Sequence, residues 1–416
     1  MTASTRIQRS ARTDSLRPHD AVIVAYKRTA IGRARKGSFA EERPEDLAHA
    51  AVSAALGDVP QLAPHDLEDF YLGTGVPQGA QGDNLARRVA VLAGFDSLPG
   101  ATISRFCASS LEAIAAAARA IQSGDGAAYL VGGVESTSSQ PPVSSNQYPG
   151  WEVAAERADR VFESGAAWTD PRRGGQDPDI YISMGKTAEF VAGLTGTTRE
   201  AQDEWALWSQ QRATHAQSAG YLSAEIVPYV RRDGQVIEVD DGPRPSTTRS
   251  GLAALAPAFH PSGTVTAGNS SPLNDGASAA VVMSARRAQE LGITPLGRIV
   301  GTTSSALSPE IMGLAPADAS EKLLSRLGLT VDDIDLVELN EAFAAQVVPV
   351  VRRLGVEPER VNPHGGAIAL GHPFGATGVR LVGTLLHGLR EADGHLGLAT
   401  LCVGGGQGMA MVVERL

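Results

Sequence analysis

Cysteine is almost missing from this chain: its 416 residues hold two, Cys107 and Cys402. Two thiols build no disulfide framework, and any chemistry they perform needs them free, which points to a reducing compartment. Long apolar runs are also missing. Those present fall well short of a bilayer span, so no transmembrane helix is expected. Basic excess is lacking too, since 36 Lys and Arg face 46 Asp and Glu for a formal net charge of −10. That balance argues against a nucleic-acid partner, while a local arginine cluster can still bind phosphate inside an acidic protein. What remains is a 43% apolar composition that suits an enzyme, in a chain longer than single cores usually become. Two or three domains are expected.

Residues 1–20 are rich in Ser, Thr and Arg and lack an apolar core, so they are no secretory signal. A flexible tail is the expectation, with an organellar presequence as the alternative. From Ala21, AVIVAY reads as a buried strand and PEDLAHAAVSAALG as a helix. DFYLGTG, a helix from Asn84 to Ala93, a strand and helix around Cys107, and AAYLVGGVES continue the alternation of a covered parallel or mixed sheet. Gly132, Gly133 and Glu135 read as a turn, because no G-x-G-x-x-G spacing follows. Composition shifts at Ser136. The next stretch holds all the tryptophans, Pro/Ser-rich and DPRRGGQDPD segments, and the helix TREAQDEWALWSQQRATHAQSAG, as in an insertion laid over a site. Sheet pattern resumes with GASAAVVMS after a turn containing Ser271, Asn274, Asp275 and Gly276. Past Pro295 a second alternating unit runs to the C-terminus.

Three stretches carry chemistry-bearing side chains on special backbone. NPHGGAIALGHPFG, Asn362 to Gly375, sets His372 between a glycine and a proline, too rich in both to be a helix interior. Cys107 lies where a β-prone run gives way to an alanine-rich helix. A helix N-terminus favours thiolate over thiol and so a nucleophile. Cys402 ends an apolar run and precedes three glycines. Either cysteine alone reads as a small buried hydrophobe; together with the histidine they read as a site.

FCAS around Cys107, NEAFAAQ at 340–346, GGAIALGHP at 365–373 and CVGGGQG at 402–408 carry a resemblance to the thiolase family. RTAIGRARKGSF, MGKTAEFVA and TVTAGNSSPLNDGASAA extend it from about Ala21 to the C-terminus. The resemblance implies an α/β thiolase fold, two similar α/β halves in a layered αβαβα core with an inserted loop domain. The expected borders are a tail at 1–20, an N-terminal half at 21–135 and 259–295, a loop domain at 136–258 and a C-terminal half at 296–416.

The implied activity is CoA-dependent cleavage of 3-ketoacyl-CoA to acetyl-CoA and a shortened acyl-CoA through an acyl-enzyme on Cys107, a reversible Claisen condensation. Cys402 is the implied base. His372 exchanges the proton of Cys107, and Asn340 holds a water beside it. The amides of Cys107 and Gly404 form one oxyanion hole, and His372 with the Asn340 water the other. In breakdown, Cys402 is expected to activate the CoA thiol for attack on the ketone. Arg244, in DDGPRPSTTR, is the implied phosphate contact of CoA, with Arg231, Arg232 and Arg249 as weaker candidates. Ser271, Met184, Ala342 and Phe343 complete the CoA and acyl contacts. No metal, nicotinamide or flavin is implied, and coenzyme A is a co-substrate. A homodimer or homotetramer, a hydratase–dehydrogenase partner and a cytoplasmic location, or an organellar matrix if the tail is a presequence, follow from the same resemblance.

Asn340 also reads as a cap for a helix starting at Ala342, and both roles can hold. His364, His387 and His395 read as structural or surface residues. Three positions depart from the family pattern. Ser110 replaces a glycine, His364 a smaller or amide residue, and Ser183 the histidine of short-chain biosynthetic members. The last favours a degradative, broader-chain thiolase over a biosynthetic acetoacetyl-CoA thiolase. A ketoacyl synthase would not need Cys402, and a non-catalytic CoA- or lipid-binding relative would have lost a site residue.

Overall fold

The computed structural model describes residues 16–140 and 152–416. Expectations for residues 1–15 and for the Pro/Ser-rich stretch 141–151 fall outside them. Among the described residues no helix is long and apolar enough to cross a membrane.

One mixed sheet runs through both halves. Its main strands are β1 (Ala21–Arg28), β2 (Phe70–Gly73), β3 (Gly100–Ile103), β4 (Ala128–Ser136), β5 (Asn274–Ser284), β6 (Gly297–Ala306), β7 (Leu336–Leu339), β8 (Leu396–Val403) and β9 (Gln407–Arg415), and a two-residue strand, Gly32–Arg33, pairs with the start of β5. They lie in the order β7-β8-β9-β6-β1-β5-β4-β2-β3. β1 pairs along its length with β5, but meets β6 only through Val22↔Arg298 and Ile23↔Gly297. The two parts of the sheet therefore join edge to edge at one short seam.

Eight helices matter for the site: α1 (Pro44–Gly57), α2 (Leu85–Leu92), α3 (Ser109–Ser123), α4 (Met184–Thr195), α5 (Arg199–Ser218), α6 (Ala315–Leu327), α7 (Ala344–Leu354) and α8 (Phe374–Glu391). α1 and α2 cover one outer face, where Leu47, Val52 and Val89 join Phe70, Leu130 and Val281. α3 and α8 form the middle layer, with Leu111, Ile114, Val379 and Leu385 packed among Val131, Val282, Leu401 and Met411. α6 and α7 cover the other outer face, with Leu323, Val347 and Val350 against Leu398 and Val412. This is the expected αβαβα layering. Neighbouring residues such as Leu130 and Val131 serve opposite faces because strand side chains alternate, so strands covered on both sides read as unbroken apolar runs.

Three local expectations are corrected. Gly132, Gly133 and Glu135 lie inside β4 rather than in a turn, and the run beginning at Asn274 is already strand β5. The helix after NEAF starts at Ala344 with Phe343 at its N-cap, so Asn340 does not cap it.

Parallel pairing of β3 with β2 and of β2 with β4 brings three carboxyl ends to one edge, and antiparallel β5 brings its amino end to the same place. Parallel β7 and β8 end together in the other half, carrying Asn340 and Cys402. Ligands of open α/β sheets gather at such edges.

Candidate active site

Between β3 and α3 the chain makes a tight turn that carries Cys107. Phe106, just before it, has φ of 44°, a left-handed conformation that a bulky side chain adopts only under constraint. The constraint is visible: Ser109 Oγ accepts from Arg105 N at 2.9 Å and lies 2.6 Å from Phe106 O and 3.0 Å from Thr74 O. Two amides, those of Gly404 and of Cys107 itself, are directed at the Cys107 sulfur. The residue is partly buried, yet protein atoms crowd the thiol, and this burial pushes it up to about 12, with the charge of Glu135 adding to the shift. The sequence suggested a helix end that favours thiolate. Desolvation instead outweighs the two amides, because no cationic side chain contributes at this thiol.

His372 is buried at the start of α8. Its Nδ1 lies 2.7 Å from Thr377 Oγ1, whose own hydrogen goes to Pro373 O at 2.9 Å. Thr377 therefore accepts from Nδ1–H, which leaves Nε2 as a bare lone pair. Asn340 Nδ2, 3.2 Å away, donates to it. Burial first, then the Arg380 charge, push the imidazole down to about 3, so it is neutral at physiological pH. Asn340 Oδ1 is buried without a protein partner among the described residues, a place that suits a bound water.

Asn274 anchors the backbone of this loop. Its Oδ1 accepts from His372 N at 2.9 Å and its Nδ2 donates to Gly32 O at 2.9 Å. Gly371 has φ of 114°, and a Cβ there would stand 2.6 Å from Ile31 Cγ2 and 2.7 Å from Asn274 Cγ. Only glycine fits that approach. Glu341 steadies the far side, accepting from Trp205 Nε1 at 2.9 Å, Ser209 Oγ at 2.6 Å, Asn362 Nδ2 at 2.9 Å and Ile368 N at 3.2 Å.

Cys402, near the end of β8, is fully buried among Ala188, Met312, Ala342 and Phe343, with half-buried Met184 against the same cluster. Burial and then the neighbouring Cys107 raise its thiol, so the two sulfurs sense one another. The structure thus brings Cys107, Cys402 and Gly404 together across the two halves, and His372 with Asn340.

A cavity of about 250 Å³ is lined by Arg33, Arg244, Gln210, Ser270, Pro272 and Ile368, among others. Burial and the charge of Arg33 lower the pKa of Arg244, as two unneutralised guanidiniums should. Arg231, Arg232 and Arg249 are each committed elsewhere, to Asp233 at 3.0 Å, Asp46 at 3.3 Å and Glu204 at 3.0 Å. Arg244 makes no ion pair among the described residues, which leaves it free for an anion. Ser271 sits between two lining residues and donates its amide to Ala342 O at 3.0 Å, which joins this cavity wall to Phe343 and the Cys402 cluster.

The chain matches the thiolase N-terminal domain over residues 21–286 and the thiolase C-terminal domain over 293–415. It belongs to the thiolase family. A 3-ketoacyl-CoA thiolase of Saccharophagus degradans is 40% identical over 97% of this chain and 100% of the relative. A beta-ketoadipyl-CoA thiolase of Pseudomonas aeruginosa is 43% identical over 94% of this chain and 97% of the relative. The crystal structure of the Bacillus anthracis acetyl-CoA acetyltransferase superposes with a TM-score of 0.84 at 38% identity, covering 97% of this chain and 100% of that one.

The departures from the family pattern have physical readings. Ser110 Oγ accepts from Val379 N at 3.0 Å and so ties α3 to α8. His364 pairs with Glu391 at 2.8 Å, a structural contact. Ser183 is exposed just ahead of α4. The sequence offers Asn274 only as a turn residue and does not single out Thr377 or Arg33. Each lies within or beside a stretch already associated with the family, but only the fold shows what it faces.

Proposed function

We propose that the chain is a degradative thiolase that cleaves 3-ketoacyl-CoA with CoA, releasing acetyl-CoA and a shortened acyl-CoA. The observation that carries this reading is the meeting of two thiols from opposite halves, with two amides on the Cys107 sulfur.

Atom balance revises one step of the sequence reading. Were CoA to attack the ketone directly, the shortened chain would already be on CoA and Cys107 would have nothing to carry. Cys107 therefore attacks the 3-keto carbon, and its proton passes to the unprotonated Nε2 of His372, displacing the hydrogen bond from Asn340. The transfer accompanies bond formation, since the thiol is un-ionised and the imidazole neutral at rest. Breaking the C2–C3 bond leaves the acetyl-CoA enolate, whose oxygen is stabilised at His372 and the Asn340 water, and Cys402 gives C2 a proton. Acetyl-CoA leaves, and CoA enters.

The Cys402 thiolate now takes the proton of CoA. The new thiolate attacks the thioester, and the oxyanion forms against the amides of Cys107 and Gly404. Cys107 departs and recovers its proton from His372. A buried imidazolium is tolerated here because a thiolate or oxyanion accompanies it. Arg244 would hold a CoA phosphate by forked donors, while Ser271, Met184, Ala342 and Phe343 would flank the pantetheine arm and the acyl group.

Ser183 in place of histidine favours the broader-chain subclass over a biosynthetic acetoacetyl-CoA enzyme. Borders at 136 and 258 for the loop domain, a dimeric or tetrameric state, a hydratase–dehydrogenase partner and a cytoplasmic location belong to the same reading. Thiolysis rates across straight, branched, dicarboxylic and steroid-derived 3-ketoacyl-CoA substrates test it. Turnover of chains beyond acetoacetyl-CoA is expected. Turnover of acetoacetyl-CoA alone would overturn the degradative assignment.

A further inference from the structure

Glu135 is fully buried in β4, beside the catalytic groups, and the steps above do not use it. Its Oε2 accepts from Gly75 N at 2.7 Å and from Gly375 N at 2.8 Å. Its Oε1 accepts from Gln81 Nε2 at 2.7 Å, Gln140 Nε2 at 2.7 Å and Val76 N at 3.3 Å. The groups around the carboxylate are thus all donors. Gln81 cannot turn its amide over without loss, because its Oε1 already accepts from Ser136 N. Only a side chain with two bare oxygens satisfies this shell; an amide or a protonated acid would set hydrogen against hydrogen.

The donors belong to the segments that carry the reacting groups. Gly75 O accepts from Ser104 Oγ at 3.3 Å and Thr74 O lies 3.0 Å from Ser109 Oγ, so the 74–76 loop grips both ends of the Cys107 turn. Gly375 is in the first turn of α8, next to the Pro373 and Thr377 groups that fix the imidazole tautomer. A single carboxylate oxygen therefore joins the nucleophile side to the base side. Stability alone is a weak reason to bury an anion, since apolar packing of like volume usually does as well. This anion also stands where it makes the nearby thiol harder to ionise, so its place calls for a geometric reason.

We propose that Glu135 is a positioning residue that locks the Cys107 turn and the His372 loop at one fixed separation, so that thiol and imidazole can exchange a proton. The inference rests on the thiolase reading above and adds to it a residue that touches neither substrate nor reacting atoms.

The test is the single-turnover rate constant for acetylation of Cys107 by acetyl-CoA, expressed per active site titrated with iodoacetamide. Glu135→Gln should lower it about 100-fold, as misplacement of reacting groups by about 1 Å does, with KM for CoA within about twofold of wild type. Glu135→Asp keeps both oxygens and should restore part of the loss. A merely structural role would reduce the titratable sites and leave the rate constant of the remainder unchanged, which overturns the proposal. Should Glu135→Gln not fold, Gln140→Ala removes one donor from the half-buried rim. A drop of about threefold or more in the same constant supports the proposal and no change overturns it. A wild-type chain that takes up no acetyl group would refute the thiolase reading and this inference with it, an outcome distinct from equal rates in wild type and variant.

Discussion

Replacing Asn274 by alanine should damage both stability and chemistry. The side chain holds two buried backbone groups, His372 N and Gly32 O, each at 2.9 Å. Its removal orphans both, at about 1–3 kcal/mol apiece, and leaves a void in place of a buried amide. The two orphaned groups alone sum to about 2–6 kcal/mol, with the void adding to this if it stays dry, and less is lost if water enters to bond them. Release of His372 N also frees the loop that aims Nε2, so acetylation of Cys107 should slow by about 100-fold.

Asn274→Asp separates the two contacts. It keeps an acceptor for His372 N but turns an oxygen toward Gly32 O, so it should lose stability while retaining more of the acetylation rate than alanine does. Urea denaturation gives the first quantity and single-turnover mass spectrometry the second. An alanine variant with wild-type stability and wild-type acetylation rate would refute the reasoning.

Iodoacetamide alkylation of Cys107 should rise about tenfold per pH unit from pH 6 to 8, because the thiol there lies below its raised pKa and the thiolate fraction grows in proportion. A plateau below pH 7 would reveal a thiolate–imidazolium pair and contradict the neutral resting state. Cys402→Ala should still accept an acetyl group on Cys107, with exchange of the acetyl-CoA methyl protons into heavy water down at least about 100-fold, within the range a general base supplies. Arg244→Ala should raise KM for CoA by about 10- to 100-fold at unchanged kcat, the loss expected for a charge-assisted phosphate contact. Unchanged KM would move the phosphate elsewhere in the cavity.

Much of the layered core is written in short-range pattern. The apolar run before Cys402 and the alanine-rich helix after Cys107 are what elements buried on both sides must look like. The same patterning cannot tell a strand from a turn where function alters the composition. Within AAYLVGGVES the pattern reads Gly132 and Gly133 as a turn, because glycines at strand ends mark tight turns. Here their missing Cβ atoms make room, for instance for the α8 backbone at Gly375. The site residues were legible where they sit on unusual backbone, as His372 does beside Gly371. Asn274 and Glu135 were not, since their partners lie far away in the chain. The ionisation state of Cys107 also escaped the sequence, because a helix end is visible there and desolvation is not.

The most direct measurement is mass spectrometry of the intact chain, then of its peptides, after brief incubation with acetyl-CoA. One acetyl group on Cys107, lost in Cys107→Ala and released again by free CoA, is the predicted result. An unmodified Cys107, or an acetyl group that settles on another residue and does not return to CoA, would contradict the account.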